Sequence, residues 1–158
     1  MKAIRQCIER ARKKDKNYDP QVVYLVARKK IDTRFFSEAP GAQTRGKFQQ
    51  KVNNPVPGTV IFDEISAENA YDFHLAAQKV TQGTTTPTHY VIAYNSSKIP
   101  QEALAQLTYE LCYSYYNWHG SVRVPACLQN ANKLAKLVGE NMGEQVTNPD
   151  MLKRPFYL

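Results

Sequence analysis

Cysteine is scarce in this sequence and does not come in pairs. Cys7, Cys112 and Cys127 are spread over 158 residues. An odd number at wide spacing matches neither a disulfide framework nor a Cys-x-x-Cys metal site, so the thiols read as small apolar side chains in a reducing compartment. Long apolar runs are missing as well. None approaches the ~18 residues that a membrane span requires, and mean hydropathy is −0.54. The opening MKAIRQCIERARKK has no apolar centre of the kind a signal peptide needs. A cytoplasmic or nuclear protein without membrane contact is expected. Internal repeats and low-complexity stretches are absent. Histidine occurs three times, at His74, His89 and His119. At such separations a packing or surface role is the default for each. No serine or cysteine lies in a nucleophile-elbow context.

Hydrophobic residues make up 42% of the chain and aromatics 11%. That supplies one core for one domain and excludes a disordered tail. The net charge of +7 is unevenly placed. Residues 1–51 carry 14 Lys/Arg against 5 Asp/Glu, whereas residues 52–158 carry 7 against 9. A basic third on a near-neutral body is an electrostatic footprint for polyphosphate, and equally a solvated helix face followed by a basic loop.

Ile4, Cys7, Ile8 and Ala11 make an apolar stripe at helical spacing over residues 1–14. Asn17-Tyr18-Asp19-Pro20 ends it. Residues 21–27 (QVVYLVA) read as a buried strand, continued or followed by a second strand through Thr33-Arg34-Phe35-Phe36. Residues 37–57 read as a long polar loop, and 58–65 (GTVIFDEI) as a strand. A helix carrying Tyr71, Phe73 and Leu75 is expected over 67–80, and another strand over 88–94 (THYVIAY). Pro100 and Glu102 suit a helix start, with Leu104, Leu107 and Leu111 as its apolar face to about Trp118. A last helix runs from near Pro125 through Leu128, Ala131, Ala135 and Val138 to Gly139 or Gly143. Strands alternating with helices imply an α/β fold with helices against a sheet.

Four segments resemble the PIWI domain of the Argonaute/Piwi family, in that family's order. They are VVYLVARKKIDTRFF (22–36), NPVPGTVIFDEISAENAYDFHLAAQKVTQGTTTPTHYVIAY (54–94), LTYELCYSYYNWHGSVRVPA (107–126) and the final Phe156-Tyr157-Leu158. The third is most similar to the Piwi branch. The resemblance implies the C-terminal portion of an RNase H-like fold, a sheet flanked by helices. It also implies a partial PIWI domain over 1–158, with the N-terminal strands of that fold and the upstream PAZ and MID domains absent.

The family cuts RNA with an Asp, a Glu, a second Asp and a final His or Asp around divalent metals, which take hard oxygen ligands. On the resemblance the chain starts after the first Asp and the Glu. The second Asp follows Gly-Thr-Val-hydrophobic, here Gly58-Thr59-Val60-Ile61, so its position falls on Phe62. Asp63 is one place on. A one-residue slip would misplace Ile65 or Tyr71-Asp72-Phe73, and neighbouring strand residues face opposite ways. Asp72 falls on the expected helix as a cap or surface residue. The final His position, ahead of Lys133-Leu134-Ala135, falls on Asn132, which carries no charge. No slicing activity, no metal and no cofactor are therefore expected.

What the resemblance implies instead is binding of a small guide RNA, and target RNA with it, through phosphates and 2′-hydroxyls. The candidate contacts are Arg28, Lys29, Lys30, Arg34, Tyr115, Arg123 and Gln129, with the Leu158 carboxylate near a guide 5′ phosphate. Tyr109, Tyr113 and Tyr116 read as core packing of the helix over 101–118 in which they lie. Arg123 is either a guide contact or a surface residue. Other readings stay open. One is a protein-interaction module with Argonaute-type protein partners, or a partner-dependent fragment of a split or truncated Argonaute. Another is a nuclease using Asp63 in a slipped register.

Overall fold

A computed structural model describes residues 2–38, 52–62, 71–141 and 150 of the chain. Helix α1 spans Lys2–Arg12, then come strands β1 (Val23–Arg28), β2 (Ser37–Glu38), β3 (Val52–Asn53), β4 (Thr59–Phe62), β5 (Asp72–Ala76) and β6 (Thr88–Asn95). Helices α2 (Gln101–Leu111) and α3 (Ala126–Asn141) follow. Four strands form one sheet in the order β1-β6-β5-β4, with every pairing antiparallel. β2 and β3 pair separately, closing the segment read as a polar loop. Its residues 39–51 lie outside the described residues. No described helix is long and apolar enough to cross a membrane.

The centre of the sheet corrects the sequence reading. Residues 72–76 are a strand, not part of a helix, and they pair on both sides. Tyr71, Phe73 and Leu75 recur every second residue, which is the strand period; a helix would need spacings of three and four. All five residues of β5 are buried, so its polar residues, Asp72 and His74, face packed protein and not water. Phe73 and Leu75 point to one side with Tyr90 and Ile92 of β6. Burying side chains of this size contributes about 1.5–3 kcal/mol each. Asp72 and His74 point to the other side. Asp72 is a buried strand residue, neither a cap nor a surface group.

Helix α2 covers the Phe73 face, but with a different stripe from the one expected. Leu104, Ala105, Thr108 and Cys112 are buried at i, i+1, i+4 and i+8, while Leu107 and Leu111 are exposed. The helix also ends early, at Leu111. Cys112 N–H bonds Tyr109 O at 2.9 Å and Tyr113 N–H bonds Glu110 O at 3.0 Å, tightening the last turn to i→i+3 bonds. The chain then leaves the helix and returns Tyr115 and Val122 to the core. In α3 only Ala126 is buried among the described residues; Ala131 and Ala135 are exposed. The expected strand at 33–36 is irregular chain, with Phe35 buried and Phe36 exposed.

Gly58 turns the chain into β4 at φ +93, and a Cβ there would lie 3.0 Å from the Tyr109 ring. Its N–H reaches Ala76 O at 2.9 Å. Backbone freedom and close approach to α2 both call for glycine.

The helix phase gives a direct test. Leu104→Ala removes a fully buried side chain and should cost about 2–5 kcal/mol. Leu107→Ala, at an exposed position, should stay within about 0.5 kcal/mol of the parent. Urea unfolding of both variants measures the difference; equal losses would mean that α2 is rotated from the orientation described.

Candidate nucleic-acid interface

Two of the cationic sets named from sequence meet at one end of the sheet. Arg28 closes β1 in register with His89, the second residue of β6. The residue before it, Thr88, donates its hydroxyl to Arg123 O at 3.2 Å. The same end receives Ser121, whose hydroxyl donates to Ala77 O at 2.7 Å just beyond β5. The basic turn after β1 and the segment before α3 are thus tied to neighbouring residues of one strand. Arg28, Lys30 and Arg123 are exposed and Lys29 is half-buried. Arg34 is engaged locally: its guanidinium donates to Ile31 O at 2.6 Å and to Thr33 O at 2.8 Å. Those bonds close residues 31–34 on themselves, just beyond the basic turn.

The other candidates are distributed differently. Tyr115 is a core side chain, 8% exposed, and the Lys133 ammonium lies 5.5 Å from its ring centre. Gln129 is half-buried in the first turn of α3, where its N–H bonds Pro125 O. Leu158 lies outside the described residues, as does Asp63. Tyr113 and Tyr116 are exposed rather than packed, and only Tyr109 packs against the core.

Phe62 ends β4 opposite Phe73, and the two rings are 6.1 Å apart at a tilt of 49°. The side chain packs against the core cluster. A carboxylate there would be drawn out of water beside an aromatic ring, which is costly without a partner. Asn132 is exposed on α3. Among the described residues no group of three or more His, Cys, Asp or Glu could hold a metal ion. The side chains at these two positions, a phenyl ring and an uncharged amide, do not fit the metal pair that the resemblance implies.

Sequence reasoning missed a polar cluster on the opposite face of the sheet. The Asp72 carboxylate contacts Nε2 of His89. The His89 ring stacks on His74, with centroids 4.3 Å apart and planes within 5°. Phe35 covers His74 edge-on at 5.8 Å. Gln101 of α2 donates to Asp72 O at 2.6 Å. Burial holds the His74 pKa below its ordinary value, and the neighbouring imidazole pushes the same way; Asp72 opposes both. The signal was present as Asp72-x-His74, a strand repeat, but only the β5–β6 register brings His89 alongside.

Three comparisons locate the chain among known proteins. The Piwi domain family profile matches residues 1–143. The Piwi-like protein Ago3 of Bombyx mori is 47% identical over 142 residues, covering 90% of this chain and 14% of that protein. The crystal structure of Drosophila Piwi matches with a TM-score of 0.72 at 38% identity, over 90% of this chain and 18% of that one. A Kluyveromyces polysporus Argonaute solved with a guide RNA matches with a TM-score of 0.68 at 25% identity, over 85% of this chain and 17% of that one. The chain therefore spans under a fifth of the length of each. The C-terminal lobe of a budding yeast Argonaute shares the fold, with a TM-score of 0.75 over 99% of this chain.

The His74 environment predicts a pH dependence. A histidine whose folded pKa is depressed favours the neutral form in the native state. Its contribution is fully present above the ordinary value of 6.5 and is lost as pH falls below that value. Stability should fall from pH 7 to pH 5, and His74→Phe, which keeps a ring against His89 and Phe35, should flatten the fall. Urea midpoints at several pH values read this out; an unchanged slope in the variant would remove His74 from the explanation.

Proposed function

Because this chain belongs to the Piwi domain family, we propose that its segment of an RNase H-like fold holds guide RNA by the phosphate backbone and does not itself cut RNA. The observation that carries the reading is the convergence of the 28–30 turn and Arg123 on adjacent residues of β6. Cations fixed to a rigid sheet end suit a polyphosphate strand, because their spacing survives without a ligand to organise it. The guide RNA held by the Kluyveromyces Argonaute supports the ligand class. Contacts to phosphate carry no base code, so binding should be largely independent of sequence. Arg34, turned onto the carbonyls of Ile31 and Thr33, acts here by ordering the chain just after the turn.

The absence of cutting rests on side-chain chemistry at one strand position. The ring of Phe62 occupies the site that the family's Gly-Thr-Val pattern assigns to a metal-binding Asp, and it packs inward on Phe73. Asn132 supplies no charge at the second such position. Target RNA and protein partners of the Argonaute type belong to the same reading.

Anisotropy of a labelled single-stranded RNA should show binding that weakens steeply between 50 and 200 mM salt. Replacing Arg28, Lys29 and Lys30 together by Ala should weaken binding and lower the log–log salt slope by roughly 2, at about 0.7 per phosphate contact on a single strand. An unaltered slope would exclude this turn from the interface. With Mg²⁺ or Mn²⁺ present a guide-matched target should stay intact. Metal-dependent cleavage lost in Asp63→Asn would overturn the non-cutting assignment.

A further inference from the structure

The stretch between Leu111 and Gly139 contains no Asp or Glu. It holds Arg123, Lys133 and Lys136 together with Tyr113, Tyr115, Tyr116 and the chain's one tryptophan, Trp118. A basic, aromatic stretch therefore lies in the part of the chain, residues 52–158, whose overall balance is slightly acidic. Its aromatics divide into two groups. Tyr115 is buried, whereas Tyr116 is 87% and Trp118 51% exposed. Tryptophan and tyrosine offer a rigid apolar ring with a polar edge, and both are enriched where a protein surface meets a partner.

Trp118 is also held in place. Its backbone N–H bonds Tyr115 O at 3.3 Å, which fixes the main chain at this position. Its indole stacks on His119 with centroids 4.9 Å apart. A Cβ on Gly120 would come within 2.9 Å of the indole nitrogen, so the ring lies directly on that glycine and any larger residue would displace it. The following chain is pinned by three hydrogen bonds: Ser121 to Ala77, Val122 to Cys112, and Thr88 to Arg123. One side of the indole is thus braced by protein while the ring remains half-exposed. Lys133 sits over the ring of Tyr115, whose main-chain carbonyl accepts the Trp118 backbone N–H, and Arg123 lies five residues on.

We propose that Trp118 is a stacking platform for an unpaired base of single-stranded RNA, with Tyr116 beside it and Arg123 and Lys133 meeting the flanking phosphates. Aromatic faces interleaved with cations are what a single strand requires: stacking tolerates every base, and the cations follow the backbone. The absence of any carboxylate across this stretch favours a polyanion over an apolar or basic protein segment. The inference rests on the RNA-binding reading above and adds to it a contact to a base face, which backbone binding alone does not include.

Because Trp118 is the only tryptophan, its emission reports on this one site. The intact 158-residue chain is titrated with oligouridylate and with an abasic oligomer of equal length, while anisotropy of a labelled RNA records total binding. Base-bearing RNA should quench the emission, and the abasic strand should bind with little quenching. Trp118→Ala should weaken RNA binding about tenfold, and Trp118→Phe should restore most of it. RNA bound by anisotropy with emission unchanged, or quenched equally by the abasic strand, overturns the platform and leaves the backbone reading intact. No RNA binding even at low salt overturns both. If Trp118→Ala fails to fold, the emission of the parent chain and the Trp118→Phe variant still decide.

Discussion

The pairing of β5 with β6 is the constraint on which the rest of the molecule depends. Their register sets Phe73 beside Tyr90 and His74 beside His89. Because successive strand residues face opposite ways, one pairing builds two environments. The Phe73 face is dry and aromatic, with the Phe73 and Tyr90 rings stacked 5.1 Å apart. The His74 face holds a carboxylate and two imidazoles beneath Phe35. A one-residue slip would exchange the two, placing charge in the apolar core and phenyl rings among polar groups.

The helices and loops are anchored to this pair by a few side-chain bonds to main-chain carbonyls. Gln101 ties the start of α2 to Asp72, Ser121 ties the α2–α3 connection to Ala77, and Thr88 reaches Arg123. Gln101 and Ser121 bring side-chain donors to carbonyls of the β5 segment, and Thr88 offers a hydroxyl of the sheet to a carbonyl of the connection, so main-chain acceptors on both sides gain partners. The same bonds carry the outward-facing chemistry. Arg123 and the Trp118 segment stand on a connection pinned to the sheet, and Arg28 stands on the neighbouring strand end. Rigid support is what lets exposed charges and rings act as a surface of fixed geometry. The core thiol shows the opposite environment: burial pushes Cys112 up to about 12, whereas Cys7 and Cys127 lie exposed.

Much of this was legible in the residues. The runs at 21–27 and 88–94 became β1 and β6, and the described part of 58–65 became β4, Thr59–Phe62, with 63–65 outside the described residues; β-branched and aromatic residues fit a pleated, half-buried surface. The stripe at Ile4, Ile8 and Ala11 marked α1, and Pro125 marked the start of α3. The ordered Gly-Thr-Val, Tyr-Asp-Phe and Pro-Thr-His-Tyr blocks carried the family. β5 was misread although Tyr71-Asp72-Phe73-His74-Leu75 alternates apolar and polar, the strand period; its polar residues are buried with the rest, so the alternation does not separate a core face from a solvent face. The face of α2 was misread because three leucines outweighed Thr108 and Cys112, small residues that a helix can bury against a sheet when the threonine hydroxyl bonds its own i−4 carbonyl.

The order of residues by itself determined the basic first third, the apolar segments available to pair, the aromatic ring at position 62 and the family. These are properties of composition and local spacing, and they persist in an unfolded chain. Only the tertiary structure decided which groups meet. His74 and His89 are fifteen residues apart in the chain, and Arg28 and Thr88 sixty; strand register makes neighbours of the first pair and brings the second to one sheet end. It also sorted the tyrosines, burying Tyr115 and leaving Tyr116 in water. Contacts between distant segments depend on how whole faces pack, and that information belongs to no single stretch of sequence.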